Sequence, residues 1–143
     1  ASGAIINASQ VDMSLDIDNV SASGGRLACG TIMVYSDRNC IVDILCNNLD
    51  FFREESCGKC TPCREGGTQL YRLVRKIAEG RGSVLDLQKI EELCALMRAT
   101  ALCGLGTSTT MPIMSCIRNF RPQLLSHIDG DFCPACSQIG GDA

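Results

Sequence analysis

The chain has 143 residues, enough for one ordinary domain or a small one with an appendage. Its hydrophobic fraction of 45% can bury a core, but with four Phe, two Tyr and no Trp that core must come from Leu, Ile, Val, Met and Cys. A formal charge of −3 removes the electrostatic motive for a nucleic-acid partner, and the longest uncharged run, Ala99 to Ile117, is broken by Gly104, Gly106 and Pro112, so no membrane insertion is expected.

Residues 1–36 are rich in Ser, Gly and Asp, with short apolar runs at Ala4–Ile6 and Thr31–Tyr35; the second has strand character. Two strands cannot bury a core alone, so this segment reads as the edge of a sheet completed elsewhere. Asp12, Asp16 and Asp18 lack the Gly and Glu of a calcium loop and read as a solvated loop. From Asp37 the period turns helical. Ile41, Ile44, Leu45, Leu49 and Phe52 recur at three- and four-residue steps, with Asp37 as the expected N-cap and an end near Glu55. A second helix is expected from Pro62, carrying Leu70, Leu73, Val74 and Ile77 and stopping at Gly80-Arg81-Gly82. Its Lys and Arg residues, between Arg64 and Arg81, read as a solvated face. Asp86 or Ser83 can cap a third helix, with Leu87, Ile90, Leu93, Cys94 and Met97 on one side. A loop from Gly104 to Thr110 follows, and Pro112 opens a fourth helix with Ile113, Ile117, Phe120 and Leu124 inward. The expected fold is therefore mainly α: a four-helix bundle with a short N-terminal β appendage. A Gly- and Asp-rich tail, residues 129–143, ends the chain.

Eleven cysteines demand a chemical explanation. An odd count, and an N-terminus without a charged region followed by an apolar core, argue against a secreted disulfide framework. Thiolates holding metal in a reducing, cytoplasmic compartment fit better. Cys57, Cys60 and Cys63 stand at Cys-x2-Cys-x2-Cys spacing, which lets a short loop wrap three corners of an iron–sulfur cube and leaves the fourth iron for a distant ligand. Gly58 permits close backbone approach, and the following helix start favours an anionic cluster. Position 67 is Gly, so the bacterial ferredoxin continuation is absent. Of the remaining cysteines, Cys103 lies in a glycine-containing loop, Leu102-Cys103-Gly104-Leu105-Gly106, and is the chosen fourth ligand. Cys94 and Cys116 sit at apolar helical positions and, like Cys29, Cys40 and Cys46, read as small buried hydrophobes. The competing reading is a four-thiolate zinc that stabilises an interaction module without redox function. Zinc sites usually pair two Cys-x2-Cys knuckles, and the lone distant fourth cysteine argues against that.

Glu55-Ser56-Cys57-Gly58-Lys59-Cys60-Thr61-Pro62-Cys63-Arg64-Glu65-Gly66 resembles the signature of the NADH-binding flavoprotein (51 kDa-type) subunits of respiratory complex I. The same family includes the diaphorase subunits of NAD(P)-linked hydrogenases and formate dehydrogenases. Cys103-Gly104-Leu105-Gly106 and Phe120-Arg121-Pro122 are also similar to that family, and the hydrogenase and formate dehydrogenase branch looks closest. The resemblance runs from about Ser9 to Ile128. It implies that residues 1–36 end a β-grasp-like domain and that residues 37–128 form a helical [4Fe–4S]-binding domain. It also implies work within a multisubunit NAD(P)H-linked oxidoreductase, cytoplasmic or peripheral to a membrane complex. A flavin-bearing domain and other iron–sulfur proteins would be its partners. FMN and NAD(H) are expected only in that larger assembly, because Gly24-Gly25 and Gly30 lack the spacing of a nucleotide loop. No catalytic residue is expected, and the chain is not expected to be catalytic alone. One departure is Cys29-Gly30, where the family tends to have glycine before its last strand.

The tail carries a further motif. His127, Cys133 and Cys136 stand at x5 and x2 spacing, and Cys-x2-Cys is a common half of a zinc site. Cys94 on the third helix is available as the fourth ligand of such a second site. The bland alternative is an exposed cysteine pair in a terminus, with His127 on a solvated face.

Overall fold

The computed structural model describes residues 3–27 and 30–130. Apolar residues at helical spacing produce α1 (Ile17–Ala22), α2 (Ile41–Glu54), α3 (Gly67–Ala78), α4 (Val84–Thr100), α5 (Gly104–Ser108) and α6 (Thr110–Asp129), with a π-helical turn at Pro62–Gly66 leading into α3. The expectation of a mainly α chain holds. Four long helices, α2, α3, α4 and α6, share one core. Val42 and Leu49 of α2 meet Leu70 and Val74 of α3, Leu87 and Ile90 of α4 and Ile113 of α6, all essentially inaccessible. Cys46, Cys94 and Cys116 fill the spaces between them. Each fully buried Leu or Ile contributes about 1.5–3 kcal/mol, so this aromatic-poor core stands on aliphatic packing. Among the described residues no helix is long and apolar enough to cross a membrane.

Several local expectations are corrected. No β-strand occurs among the described residues. Residues 30–36 leave Ile32, Met33 and Tyr35 largely exposed and Val34 91% exposed. A strand exists only through ladder bonds to a neighbour, and the described residues contain no strand to pair with this run. The solvated Asp loop contains α1, because Asp16 accepts from the Asn19 amide at 2.8 Å and caps a helical turn. Asp37 does not cap α2. The Asn39 side chain accepts from the Ser36 amide and the Asn39 amide donates to the Ser36 carbonyl, and this local turn delays the helix until Ile41 with Cys40 at its N-cap. The Gly104–Thr110 loop is mostly helical, as α5. Thr110 precedes Pro112 in the first turn of α6, where a missing N–H costs nothing. Phe120, whose φ/ψ of −135°/27° lies outside the helical region, kinks α6 just before Pro122.

The third long helix is capped by Ser83, one of the two caps read from sequence, and not by Asp86. α3 closes in a Schellman motif: Gly80 adopts φ +67°, its amide donates to the Ile77 carbonyl, and the Arg81 amide donates to the Lys76 carbonyl. Ser83 then accepts from the Asp86 amide and donates its hydroxyl to the Asp86 carboxylate at 2.8 Å. Lys76 reaches the same carboxylate oxygen at 2.7 Å, although Asp86 itself is buried. The Lys76 ammonium and the Ser83 bonds hold the Asp86 carboxyl below the usual aspartate range. A depressed carboxyl stabilises the fold above its unfolded pKa and loses that contribution as pH falls through the folded one. Asp86→Ala should therefore lower unfolding stability at neutral pH by about 1–3 kcal/mol, with the gap closing in acid. Urea midpoints at pH 7 and below pH ~4 check this; equal midpoints at neutral pH would refute it.

Candidate metal centre

α2 ends at Glu54, and the chain turns through Ser56-Cys57-Gly58 into the cysteine loop. Gly58 takes φ +73°, a conformation that a side chain would strain. Its amide donates to Ser56 Oγ at 3.3 Å, and its carbonyl accepts from Arg64 Nη1 at 2.5 Å, so the loop is braced from both ends. Cys63 lies inside the π-helical turn, a local widening that often marks functional positions in helices. Its Sγ stands 3.3 Å from Ser56 Oγ, and only 7% of the residue is exposed. Gly66, at the end of the same turn, packs against α4: a Cβ there would stand 2.7 Å from Met97 Sδ.

The 101–106 segment meets this loop. A Cβ on Gly106 would sit 3.2 Å from Cys63 Cβ, 3.6 Å from Cys63 Sγ and 2.7 Å from Ala101 Cβ, so glycine is what allows α5 to lie against the turn. The Leu102 amide points at the Cys60 thiol, as does that of Cys63, and these bonds hold Cys60 below the usual thiol range. Between Leu102 and Gly106 stands Cys103, the N-cap of α5. Cys57 and Cys103 are exposed, Cys60 is half-buried and Cys63 is buried. The structure thus brings Cys60 and Cys63 against the segment that carries Cys103, with Cys57 on the same short loop. Among the described residues no three His, Cys, Asp or Glu side chains are gathered closely enough for one metal ion. Sequence reading missed Ser56, Arg64 and the Leu102 amide as supports of the loop; nothing in their local pattern advertises contacts made after folding.

The other cysteines behave differently. Burial pushes the thiols of Cys46, Cys94 and Cys116 up to about 12, as befits small hydrophobes in a core. Cys94 therefore sits among core side chains. The partner given to His127 is Cys40, whose Sγ stands 3.4 Å from Nε2. His127 is fully buried, not on a solvated face, and the Cys40 contact leads the raising of its pKa above the ordinary histidine value. Cys29, Cys133 and Cys136 lie outside the described residues. These environments set an order of reactivity in metal-free protein. At pH 8 a thiol of pKa about 12 is only ~10⁻⁴ thiolate, so iodoacetamide should label Cys60, Cys57 and Cys103 and spare Cys46, Cys94 and Cys116. Peptide mass mapping over a labelling time course checks the order.

Comparison with known proteins agrees with the geometry. Residues 43–127 match the NADH-ubiquinone oxidoreductase-F iron-sulfur binding region. The chain is 35% identical over 133 residues to the NADP-reducing hydrogenase subunit HndC of Solidesulfovibrio fructosivorans, covering 93% of this chain and 27% of that protein. It is 31% identical over 114 residues to the mitochondrial NADH-ubiquinone oxidoreductase 51 kDa subunit of Neurospora crassa, covering 80% of this chain and 23% of the relative. The crystal structure of an NAD+-reducing [NiFe]-hydrogenase in the air-oxidized state superposes with a TM-score of 0.78 at 32% identity, over 88% of this chain and 22% of that one. The chain thus spans about a quarter of the length of these proteins. It belongs to the NADH-ubiquinone oxidoreductase-F iron-sulfur binding family, whose 51 kDa-type subunits its cysteine loop resembles.

Proposed function

We propose that this chain is an electron-transfer module that holds one [4Fe–4S] cluster through Cys57, Cys60, Cys63 and Cys103. The observation that supports the reading is the approach of the 101–106 segment, which carries Cys103, to Cys60 and Cys63: the Leu102 amide bonds the Cys60 thiol and Gly106 packs against Cys63. The donor set fits the group: four thiols, three on one turn and one on a helix cap, with glycines at 58 and 106 where bulk would intrude. When bound, the cluster supplies one-electron redox chemistry. The chain's own residues set its surroundings. The Leu102 amide donates toward the Cys60 sulfur, which favours added negative charge, and the Ser56 hydroxyl stands beside the Cys63 sulfur. Met97 and the core behind Gly66 shield the inner side from water.

The larger context belongs to the same proposal. Electrons would arrive from a flavin bound elsewhere and leave toward a further iron–sulfur centre of a multisubunit NAD(P)H-linked oxidoreductase. α2, α3, α4 and α6 would serve as a four-helix bundle that presents the cluster loop. Residues 1–36 would end a β-grasp-like domain, a reading supported by the apolar, exposed Ile32–Tyr35 run that lacks a ladder partner among the described residues.

Anaerobic purification followed by iron, sulfide and zinc analysis tests the assignment. About four irons and four sulfides per chain are expected, together with the electron paramagnetic resonance of a reduced cluster. Cys57→Ala, Cys60→Ala, Cys63→Ala and Cys103→Ala should each lose most of the iron, while Cys94→Ala keeps it. Zinc at the loop without sulfide, or intact iron in Cys103→Ala with loss in Cys94→Ala, would sink the reading. Gly106→Ala leaves every ligand in place yet forces α5 off the turn. It should lower iron occupancy several-fold and shift the resonance of what remains; wild-type occupancy and spectrum would show that the close approach is dispensable.

A further inference from the structure

Two side chains that flank the cysteines clasp Gly58 from opposite ends of the loop. The Gly58 amide donates to Ser56 Oγ at 3.3 Å, and its carbonyl accepts from Arg64 Nη1 at 2.5 Å. The clasp closes across a left-handed glycine, φ +73°, that follows Cys57 directly and stands two residues before Cys60. Arg64 is fixed in the π-helical turn, where its amide donates to the Cys60 carbonyl at 3.0 Å and its carbonyl accepts from the Thr68 hydroxyl at 2.9 Å.

Both residues have chemistry beyond the clasp. Ser56 Oγ receives the Gly58 amide on a lone pair and stands 3.3 Å from Cys63 Sγ. A cysteine that ligates metal has given up its proton, so its sulfur only accepts and the hydroxyl is the donor. The Arg64 guanidinium keeps its charge at every working pH. Its Nε meets the Glu65 carboxylate at 2.9 Å, so one negative charge opposes it through a different nitrogen from the one on Gly58. Hydrogen bonds to sulfur and nearby charge are two of the levers that set the potential of an iron–sulfur centre. Reduction adds one electron, and a donor or a cation beside the added charge favours the reduced form. We propose that Ser56 and Arg64 raise the reduction potential of the cluster held by this loop, Ser56 through its bond to the Cys63 sulfur and Arg64 through its charge, with Glu65 working against them. The inference rests on the four-cysteine assignment above and adds the groups that regulate electron transfer at that site. The electron comes from the flavin of the larger assembly or, in the test, from dithionite.

The full chain, purified anaerobically and assayed for iron and sulfide, is titrated with dithionite and mediators while electron paramagnetic resonance follows the reduced form. At the wild-type midpoint, Ser56→Ala and Arg64→Gln should each show a reduced-to-oxidised ratio about threefold or more below wild type. Glu65→Gln should show a ratio above it, and Arg64→Lys should stay nearer to wild type than Arg64→Gln. High salt should shrink the shifts at 64 and 65 and leave that of Ser56→Ala, because screening acts on exposed charge and not on a direct hydrogen bond. A merely structural brace does not produce opposite shifts at neighbouring positions. Should Arg64→Gln lose its iron, Glu65→Gln decides the charge effect, because it leaves the Gly58 clasp in place: a raised ratio upholds it and an unchanged one overturns it. The wild-type midpoint in iron-replete Ser56→Ala or Arg64→Gln, or shifts of one sign at 64 and 65, would overturn the inference while the ligand assignment stands. A wild type without iron and sulfide would sink the ligand assignment and this inference with it.

Discussion

The site depends on how closely one stretch of backbone approaches another. At Gly106 a single added carbon would stand 2.7 Å from Ala101 Cβ, a distance that packed atoms do not tolerate, and a tight 3.2 Å from Cys63 Cβ. Because that carbon is missing, α5 lies against the cysteine turn and the Leu102 amide reaches Cys60, with Cys103 next in the chain at the N-cap of α5. Gly66 repeats the device on the inner side, where the turn abuts Met97 of α4. Between these two contacts the loop is held by α4 and α5 on its flanks, in addition to its own few hydrogen bonds.

The same residue type serves opposite ends in this chain, and environment decides which. Cys46, Cys94 and Cys116 pack in the aliphatic core, and desolvation disfavours their thiolate forms. Cys60, half-buried under backbone amides, has its negative form favoured instead. Cys40 fits neither group. It is buried like the first set, yet it is paired with a polar ring whose tautomer is fixed by the Gln123 carbonyl.

The N-terminal region contrasts with this self-sufficient helical core. Ile5 is tied to α6, its amide donating to Ser115 Oγ and its carbonyl accepting from Asn119, and Arg118 reaches the Ser23 carbonyl. The apolar run 32–35 gains no such support and stays exposed. Helices satisfy their backbone internally and need only a shared apolar face, whereas an extended segment needs a neighbouring strand. That difference explains why the helical region holds a core of its own although its relatives are several times longer.

The amino-acid sequence by itself determined the features that are local. Helix faces were legible because three- and four-residue periodicity is a property of one segment, the cap of α4 was narrowed to Ser83 or Asp86 because a cap needs few residues, and the Cys57-Cys60-Cys63 spacing could be read because it lies within one short stretch. Contacts across the chain were decided only by tertiary structure. Cys40 and His127 are 87 residues apart, and no periodicity links them. Gly106 could be noticed as a glycine near Cys103, but its closeness to Cys63 follows from how α5 packs on the turn. The start of α2 shifted from Asp37 to Cys40 because a Ser36–Asn39 turn competes with the helix for the same backbone groups, and that balance is settled when α2 packs. The strand read at Thr31–Tyr35 has apolar residues of the right kind, but a ladder is a relation between segments, and the described residues contain no second segment to complete it.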